Sequence, residues 1–210
     1  ALDHASLIWE QGHSIAIMGE SGSGKSTLAR LMIGLERPSE GQVLINGVDT
    51  TKWGLREWRK YRGKIQAVFQ DAGGTLNPSW STSKNVEEAL VNLTNLSPSQ
   101  RKNRIAELMD QTGLSKSLLD TPVRKLSGGE QRRLALLRSL SISPEFLILD
   151  EVTAGLDLIS TEAVLQLLEK YEQEHDCAYL VITHDIQVAS RLCEVIYEIE
   201  HGKFTKKAVR

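Results

Sequence analysis

The chain has 210 residues, a formal net charge of −2 and 40% hydrophobic residues, so it can bury a substantial core. Charges of both signs are spread along the sequence, which argues against a nucleic-acid surface or a polybasic membrane anchor. The apolar runs are too short to span a bilayer, and no N-terminal targeting signal is visible. We therefore expect a cytosolic protein that contacts membranes only through a partner.

The first segment, Leu2 to Trp9, alternates polar and apolar residues before a turn at Gln11-Gly12. This alternation predicts a strand at a sheet edge, with Trp9 in the core.

A short apolar run from Ile15 to Met18 predicts a buried strand, and a Gly/Ser-rich loop follows it. The loop and the start of the next helix read Gly19, Glu20, Ser21, Gly22, Ser23, Gly24, Lys25, Ser26 and Thr27. This is the phosphate-binding pattern G-x-x-x-x-G-K-[ST], in which glycines and a helix N-terminus present bare N–H groups to an anion. We predict that Lys25 reaches the β- and γ-phosphates of a nucleotide and that the Ser26 hydroxyl ligates Mg²⁺. The alternative, a simple turn, is disfavoured by the position of the lysine-serine pair.

After the loop helix, Gly34 is a predicted helix C-cap. Asn46-Gly47 between two short apolar runs predicts a β-hairpin. The next predicted helix carries Trp53 and Trp58, for which filling a core or an interface is a commoner role than stacking on a base. A buried strand from Ile65 to Phe69 then ends at Gln70.

From Thr75 the sequence becomes a polar loop and then helices, with no strand pattern before Phe146. We therefore predict a helical subdomain over residues 76–140, inserted into a single domain of residues 1–210. Within it, Ser97-Pro98 begins a helix that Gly113 closes.

The last third of the sequence alternates strands and helices. Phe146 to Leu149 predicts a buried strand, an amphipathic helix follows it, and Ala178 to Ile182 predicts the next strand of a βαβ crossover. A short helix, a strand from Val195 to Ile199 and a turn at His201-Gly202 complete the prediction. The two cysteines, Cys177 and Cys193, are predicted to be reduced core residues.

The predicted strand Phe146 to Leu149 delivers Asp150 and Glu151 to the sheet edge where α/β proteins bind ligands. We predict that Asp150 holds Mg²⁺ and that Glu151 is the general base that accepts a proton from an attacking water. In the alternative interpretation the two carboxylates merely end a strand.

The stretch Leu126 to Gln131 has two interpretations. Ser127 and Glu130 match a capping box at the start of a helix. The capping box does not need the two glycines, Gly128 and Gly129, which leave N–H groups able to approach a phosphate. We infer a second anion site, which completes the nucleotide pocket of another copy.

Together these motifs resemble the ABC-type ATPases, the nucleotide-binding subunits of ATP-driven transporters, over essentially all 210 residues. In that family Leu-Ser-Gly-Gly-Glu/Gln is the signature motif. The resemblance implies an α/β fold, with a P-loop NTPase (RecA-like) core, a mixed sheet, an antiparallel β part and an inserted helical subdomain. It also implies ATP and Mg²⁺ as cofactors, and it places an adenine-stacking aromatic residue before the first residue of this sequence.

The resemblance assigns further roles. Gln70 matches the Q-loop glutamine, which contacts Mg²⁺ and water and is linked to the transmembrane subunit. Asp157 ends Ala-Gly-Leu-Asp, which resembles the D-loop, although Ser-Ala-Leu-Asp is commoner. His184 resembles the switch histidine that contacts the γ-phosphate.

Gln70 is followed by Leu76-Asn77-Pro78, as in the dipeptide, oligopeptide and nickel importers. This resemblance implies an ATPase that powers uptake of peptides, nickel or metal chelates. The implied partners are a second ATPase subunit (a copy or a paralogue), permease subunits and an extracytoplasmic solute-binding protein, with no nucleic acid. The implied location is peripheral, on the cytoplasmic face of the cell membrane.

Two other functions compete with import. Soluble ABC proteins that act on DNA or ribosomes carry two cassettes or a long coiled coil, whereas this chain has one cassette and a compact helical insert. A P-loop kinase would leave the signature motif, Asp157 and His184 without roles.

Overall fold

The computed structural model describes residues 2–71, 73–200 and 202–208. Backbone contacts divide the chain into two units. The first contains Ala1–Ala67, Glu145–Glu151 and Cys177–Arg210, and the second contains Val68–Pro144 and Val152–Asp176. The limits predicted for the helical subdomain, residues 76–140, stay a prediction.

Within the described residues, the main sheet has six strands in the order β4-β5-β6-β1-β7-β8. The strands are β1 (Ile15–Met18), β2 (Leu44–Ile45), β3 (Val48–Asp49), β4 (Ile65–Val68), β5 (Phe146–Asp150), β6 (Ala178–Ile182), β7 (Val195–Glu200) and β8 (Lys203–Ala208). β1 pairs in parallel with β6 and β7, and β5 pairs in parallel with β6. β8 is antiparallel to β7, and β2 and β3 form a separate hairpin. The prediction of an α/β fold with a mixed sheet and an antiparallel part is confirmed.

The central strands are apolar on consecutive residues because both of their faces are buried. Ala16 and Ile17 of β1 have no solvent exposure, and neither do Leu147 to Leu149 of β5. The buried Ser14 hydroxyl accepts a hydrogen bond from the backbone N–H of Tyr179 at 2.9 Å, so its burial leaves no unsatisfied polar group. Cys177 and Cys193 are buried, as predicted.

The helices are α1 (Lys25–Met32), α2 (Leu55–Tyr61), α3 (Thr82–Leu93), α4 (Pro98–Gln111), α5 (Gly128–Ser141), α6 (Leu158–His175) and α7 (Ile186–Leu192). Short 3-10 turns cover Gly73–Thr75, Lys116–Leu118 and Val123–Lys125. Among the described residues, no helix is both long and apolar enough to cross a bilayer.

In the second unit, α3, α4 and α5 pack against one another. Arg138 of α5 forms a 2.8 Å ion pair with Glu88 of α3, and the Tyr171 hydroxyl of α6 donates to the carbonyl of Leu140 at 3.0 Å. The buried Asn85 side chain accepts from the N–H of Asn77 at 2.8 Å and donates to its carbonyl at 3.1 Å. This amide therefore fixes the loop between β4 and α3.

The predicted edge strand from Leu2 to Trp9 is wrong, since the chain has no strand there. The sheet edge beside β7 is occupied by β8, which the sequence analysis did not predict. The alternation instead reflects burial: Trp9 packs edge-on against Phe146 at 4.8 Å between ring centroids, whereas Ile8 is 78% exposed.

The remaining differences are small. β4 ends at Val68, one residue early, and β5 and β7 each extend one residue further than predicted. Trp53 precedes α2 and does not lie inside it. In the predicted turn at 201–202, Gly202 has a φ of 81°, and His201 lies outside the described residues.

Two glycines end helices in the same way but in different surroundings. Gly34 follows the C-cap of α1 with a φ of 70°, and Gly113 follows that of α4 with a φ of 65°. A Cβ on Gly34 would lie 2.2 Å from the Trp58 ring, whereas one on Gly113 would meet nothing within 4 Å. Both glycines satisfy the left-handed backbone, but only Gly34 also makes room for a side chain.

We predict that Gly113→Ala lowers the free energy of unfolding by about 1 kcal/mol, the cost of the left-handed backbone alone. Gly34→Ala should cost about 3 kcal/mol or more, because the Trp58 ring must also move. Urea unfolding followed by circular dichroism measures both. Equal costs would contradict the steric role of Gly34.

Candidate functional site

The candidate site in the first unit is built on the loop between β1 and α1. Gly19 begins the loop with a φ of 152°, and a Cβ there would lie 2.5 Å from the carbonyl oxygen of Ile199. Only glycine permits this close approach of two backbones. The N-cap of α1 is Gly24, and no side chain among the described residues caps this helix. The N–H groups of its first turn are therefore left to bind an anion.

Lys25 crosses this loop. Its Nζ donates to the carbonyl oxygens of Gly19 at 2.8 Å and Glu20 at 2.6 Å, and it lies 3.4 Å from Oγ of Ser23. The ammonium group is therefore held beside the uncapped helix end. A positive charge next to directed N–H groups is the arrangement that binds phosphate.

Asp150 ends β5 and is only 4% exposed. Its burial raises the pKa of the carboxyl, while a hydrogen bond from the Ser26 hydroxyl and the charge of Lys25 act in the opposite direction. The Ser26 hydroxyl and the Asp150 carboxylate are adjacent oxygen ligands of the kind that Mg²⁺ prefers. The described residues contain no cluster of three or more His, Cys, Asp or Glu that could hold a metal. The residues present fit a magnesium ion that is held by few protein oxygens and by phosphate.

Glu151 follows Asp150 with a left-handed φ of 53°. Its N–H donates to the carbonyl of Ile182 at 2.9 Å, which ties it to the end of the neighbouring strand β6. A left-handed backbone is rare for a non-glycine residue, costs about 1–3 kcal/mol and is concentrated at functional sites.

The Glu151 side chain is 14% exposed, and its Oε1 accepts a 2.9 Å hydrogen bond from Nδ1 of His184. The hydrogen bond and charge of Glu151 raise the pKa of His184. His184 itself is 74% exposed, so its ring remains accessible to a ligand. The structure thus brings together the loop, Asp150, Glu151 and His184.

Gln70, the signature residues and Asp157 belong to the second unit. Gln70 is exposed just after β4. Ser127 forms the predicted capping box: its Oγ accepts from the Glu130 N–H at 3.3 Å, and Glu130 Oε2 accepts from the Ser127 N–H at 2.7 Å. Asp157 caps α6 by accepting from the Ser160 N–H at 2.9 Å. The roles of these residues toward a nucleotide stay predictions.

Two side chains near these motifs were missed in the sequence analysis. Arg132, on the first turns of α5, donates to the carbonyl of Ala154 in the segment that leads to Asp157. Asn85 anchors the loop that begins a few residues after Gln70. An asparagine inside a helix is a weak signal for such a role, because Asn is a poor helix former. Nothing in the local pattern indicates the contact of Arg132.

A family model described as "ABC transporter" matches residues 2–154. The nickel import ATP-binding protein NikE of Rhodospirillum rubrum is 36% identical over 207 residues, covering 99% of this chain and 75% of the relative. NikE of Escherichia coli K12 is 36% identical over 208 residues, covering 99% of this chain and 78% of the relative. This chain belongs to the ABC transporter family. It is an ATP-binding subunit and an ATPase of that family.

Solved structures of ABC proteins show the same fold. A dimeric post-hydrolysis structure of the ATP-binding cassette MJ0796 with ADP and Pi matches with a TM-score of 0.92 and 33% identity, over 100% of this chain and 90% of that one. CbiO1 of Clostridium perfringens, part of the ABC transporter complex cbiONQ, matches with a TM-score of 0.85 and 30% identity, over 100% of this chain and 82% of that one. The P-loop NTPase fold predicted for this ABC protein is therefore confirmed.

We predict that the pKa of His184 lies above the ordinary histidine value of about 6.5 and falls towards it in Glu151→Gln. The raised pKa means that the pair stabilises the fold fully below the ordinary histidine pKa, and that this contribution is lost as pH rises through the raised pKa. NMR titration of the imidazole protons measures the pKa of His184 in the parent chain and in the variant. An unchanged His184 titration in Glu151→Gln would contradict the pairing.

Proposed function

We propose that this chain is the ATPase subunit of an importer, which hydrolyses ATP with Mg²⁺ to drive uptake of nickel, a metal chelate or a peptide. The observation that carries the catalytic part is the convergence of the uncapped α1 N-terminus, Lys25, Asp150 and the Glu151–His184 pair at the carboxyl ends of β1, β5 and β6. The import part rests on relatives named as nickel import ATP-binding proteins, 36% identical over almost the whole chain.

In the proposed mechanism the loop residues Gly19 to Thr27 hold the β- and γ-phosphates through backbone N–H groups, and Lys25 shares the negative charge. Ser26 and Asp150, with Gln70, would hold Mg²⁺, which neutralises charge on the phosphates when it is bound. Glu151 accepts the proton of the attacking water. His184 orients Glu151 through the hydrogen bond at 2.9 Å and contacts the γ-phosphate.

We propose that a second subunit completes each site through Ser127, Gly128, Gly129, Glu130 and Asp157. The support comes from the two glycines. Neither has a positive φ, a Cβ on Gly128 would meet nothing within 4 Å, and one on Gly129 would meet only Leu156 at 3.8 Å. The fold of this chain therefore does not require glycine at either position. A ligand that approaches the backbone closely does require it.

The proposed partners are permease subunits, a second ATPase subunit (a copy or a paralogue) and an extracytoplasmic solute-binding protein that acts through the complex. This assembly places the chain on the cytoplasmic face of the cell membrane. Two observations support it: one structural relative is described as part of an ABC transporter complex, and another was solved as a dimer.

Glu151→Gln is expected to lower ATP turnover about 100- to 10,000-fold while ATP still binds, because the amide cannot accept a proton. With Mg²⁺ limiting, light scattering should detect an ATP-dependent dimer that persists in this variant. Lys25→Ala is the control that should lose nucleotide binding without losing helical circular dichroism. Turnover near the parental rate in Glu151→Gln would overturn its role as general base.

Gly128→Ala and Gly129→Ala should leave the fold intact or stabilise it by about 0.5–1 kcal/mol, since alanine is the better helix former. Each should lower ATP turnover by about 100-fold, because the added methyl group displaces the partner's phosphate. Ser99→Ala, at the corresponding position of α4, is the matched control and should keep full turnover. Full turnover in both glycine variants would contradict the second anion site.

A further inference from the structure

A cavity of about 230 Å³ lies in the first unit, away from the nucleotide-binding residues. Its walls include Leu31, Pro38, Val43, Trp53 and Trp58. None of the loop residues 19–27 lines it, and neither do Asp150, Glu151 or His184. We call it the Trp53 cavity, and its presence is not explained by ATP hydrolysis.

Aromatic contacts hold the walls of the Trp53 cavity in place. The Trp53 ring packs edge-on against Trp58 with centroids 5.2 Å apart, and its centroid lies 4.4 Å from that of the Tyr61 ring. The buried Thr50 hydroxyl donates to the carbonyl of Val43 at 3.0 Å. The cavity is therefore pre-formed, which lowers the entropic cost of filling it.

The surface around the cavity is basic. Residues 52–64 carry six basic side chains and one acidic one, in a chain whose net charge is −2. The acidic residue, Glu57, is engaged at the N-terminus of α2, where its carboxylate accepts from the Gly54 N–H at 3.0 Å. Arg62 lines the cavity, with its guanidinium carbon 5.9 Å from the centre of the Trp58 ring.

Several basic side chains at and near the cavity face solvent. Arg37, which lines the cavity, and Arg56, Arg59 and Lys60 on α2 are exposed, and none forms an ion pair within the residues that the structure describes. Glu36 also lines the cavity, but its carboxylate is 3.5 Å from the guanidinium of Arg30. The charge that remains is positive and faces solvent.

We propose that the Trp53 cavity and the basic face of α2 bind an acidic segment of a partner protein, with one aromatic or aliphatic side chain of that segment filling the cavity. The volume is below the roughly 300–1,000 Å³ of small-molecule sites, so it suits a single anchoring side chain. Tryptophan and arginine are the residues that dominate protein interfaces. Leu55, which lines the cavity and is 90% exposed, offers further apolar area.

Charge complementarity selects an acidic partner, because acidic residues on either side of the anchor meet Arg37 and the cations of α2. An anionic lipid surface would satisfy the same charges, but it has no side chain to enter a cavity that Trp53 and Trp58 line. An acidic protein segment can both pair with the basic side chains and place an anchoring side chain in the cavity. The site is independent of the proposed ATPase mechanism.

The test is selection of a random displayed peptide library on the whole chain, followed by fluorescence anisotropy with the enriched peptides made synthetically. We expect the enriched sequences to be acidic and to contain one aromatic or aliphatic anchor. Trp53→Ala should weaken their binding about tenfold or more, and Arg37→Glu with Arg59→Glu should weaken it further and reduce its salt dependence. Lys102→Glu, an exposed cation on α4, is the matched control and should bind as the parent does.

Three results would overturn the proposal: no enrichment, enriched peptides without acidic residues, or equal binding by the Trp53→Ala and parent chains. Vesicles of phosphatidylserine and phosphatidylcholine form a separate arm. If the chain sediments with these vesicles in a way that depends on Arg37 and Arg59 while it binds no acidic peptide, this result would assign the surface to a membrane instead. ATP turnover of the variants should equal that of the parent, since these residues lie outside the nucleotide site.

Discussion

The parallel pairing of β1 with β6 and β7 sets the position of the loop after β1 relative to the segment after β6 that carries His184. Ile15 pairs with Leu180 on one side and Val195 on the other, and Ile15 to Ile17 are almost fully buried. A slip of one residue would turn each side chain of β1 to the opposite face of the sheet, so the packing on both faces depends on this register. Because β5 is in register with β6, the loop after β1, Asp150 and the segment after Ile182 emerge at one edge of the sheet. Strand pairing therefore brings the residues of the candidate site together, and their side chains then determine its chemistry.

The way in which each helix begins distinguishes the N-termini that a side chain caps from the N-terminus of α1, which follows the candidate phosphate-binding loop. Ser81, Ser97, Ser127 and Asp157 cap α3 to α6 with their own side chains, which satisfies N–H groups of the first turns. At α1 the corresponding residue is Gly24, which has no side chain to offer. The signature helix α5 combines both arrangements, because it is capped by Ser127 and yet begins with two glycines that its own packing does not need. The first turn of α5 is therefore capped by its own side chain, and its glycine backbone can still be approached closely by a ligand.

The sequence predicted the elements whose residues have one dominant physical role. Buried parallel strands are apolar on every residue, and the phosphate-binding loop has a fixed spacing, so β1, β5, β6 and the loop were predictable. The segment from Leu2 to Trp9 was not, because alternation reports which side chains are covered and does not show that a pairing partner is free. β8 was missed because three of the five residues from Lys203 to Lys207 are lysine, and its place depends on pairing with the edge of β7. The left-handed φ of Glu151 and the Arg132 contact also depend on tertiary packing, which no local pattern encodes.

Two aspartates in neighbouring motifs have opposite effects on stability, and this difference distinguishes their roles. Hydrogen bonds from Ser160 lower the pKa of Asp157, so its contribution to stability is present above the ordinary carboxyl pKa and is lost as pH falls through the lowered value. Burial raises the pKa of Asp150, so stability falls as pH rises from the ordinary carboxyl pKa to the raised value, and the full cost of the ionised group is present above that raised value. The Ser26 hydroxyl and Lys25 reduce that cost without removing it. We propose that this buried carboxylate, which folding alone disfavours, is retained because a bound cation would offset its charge, whereas a solvated helix cap needs no ligand to be favourable.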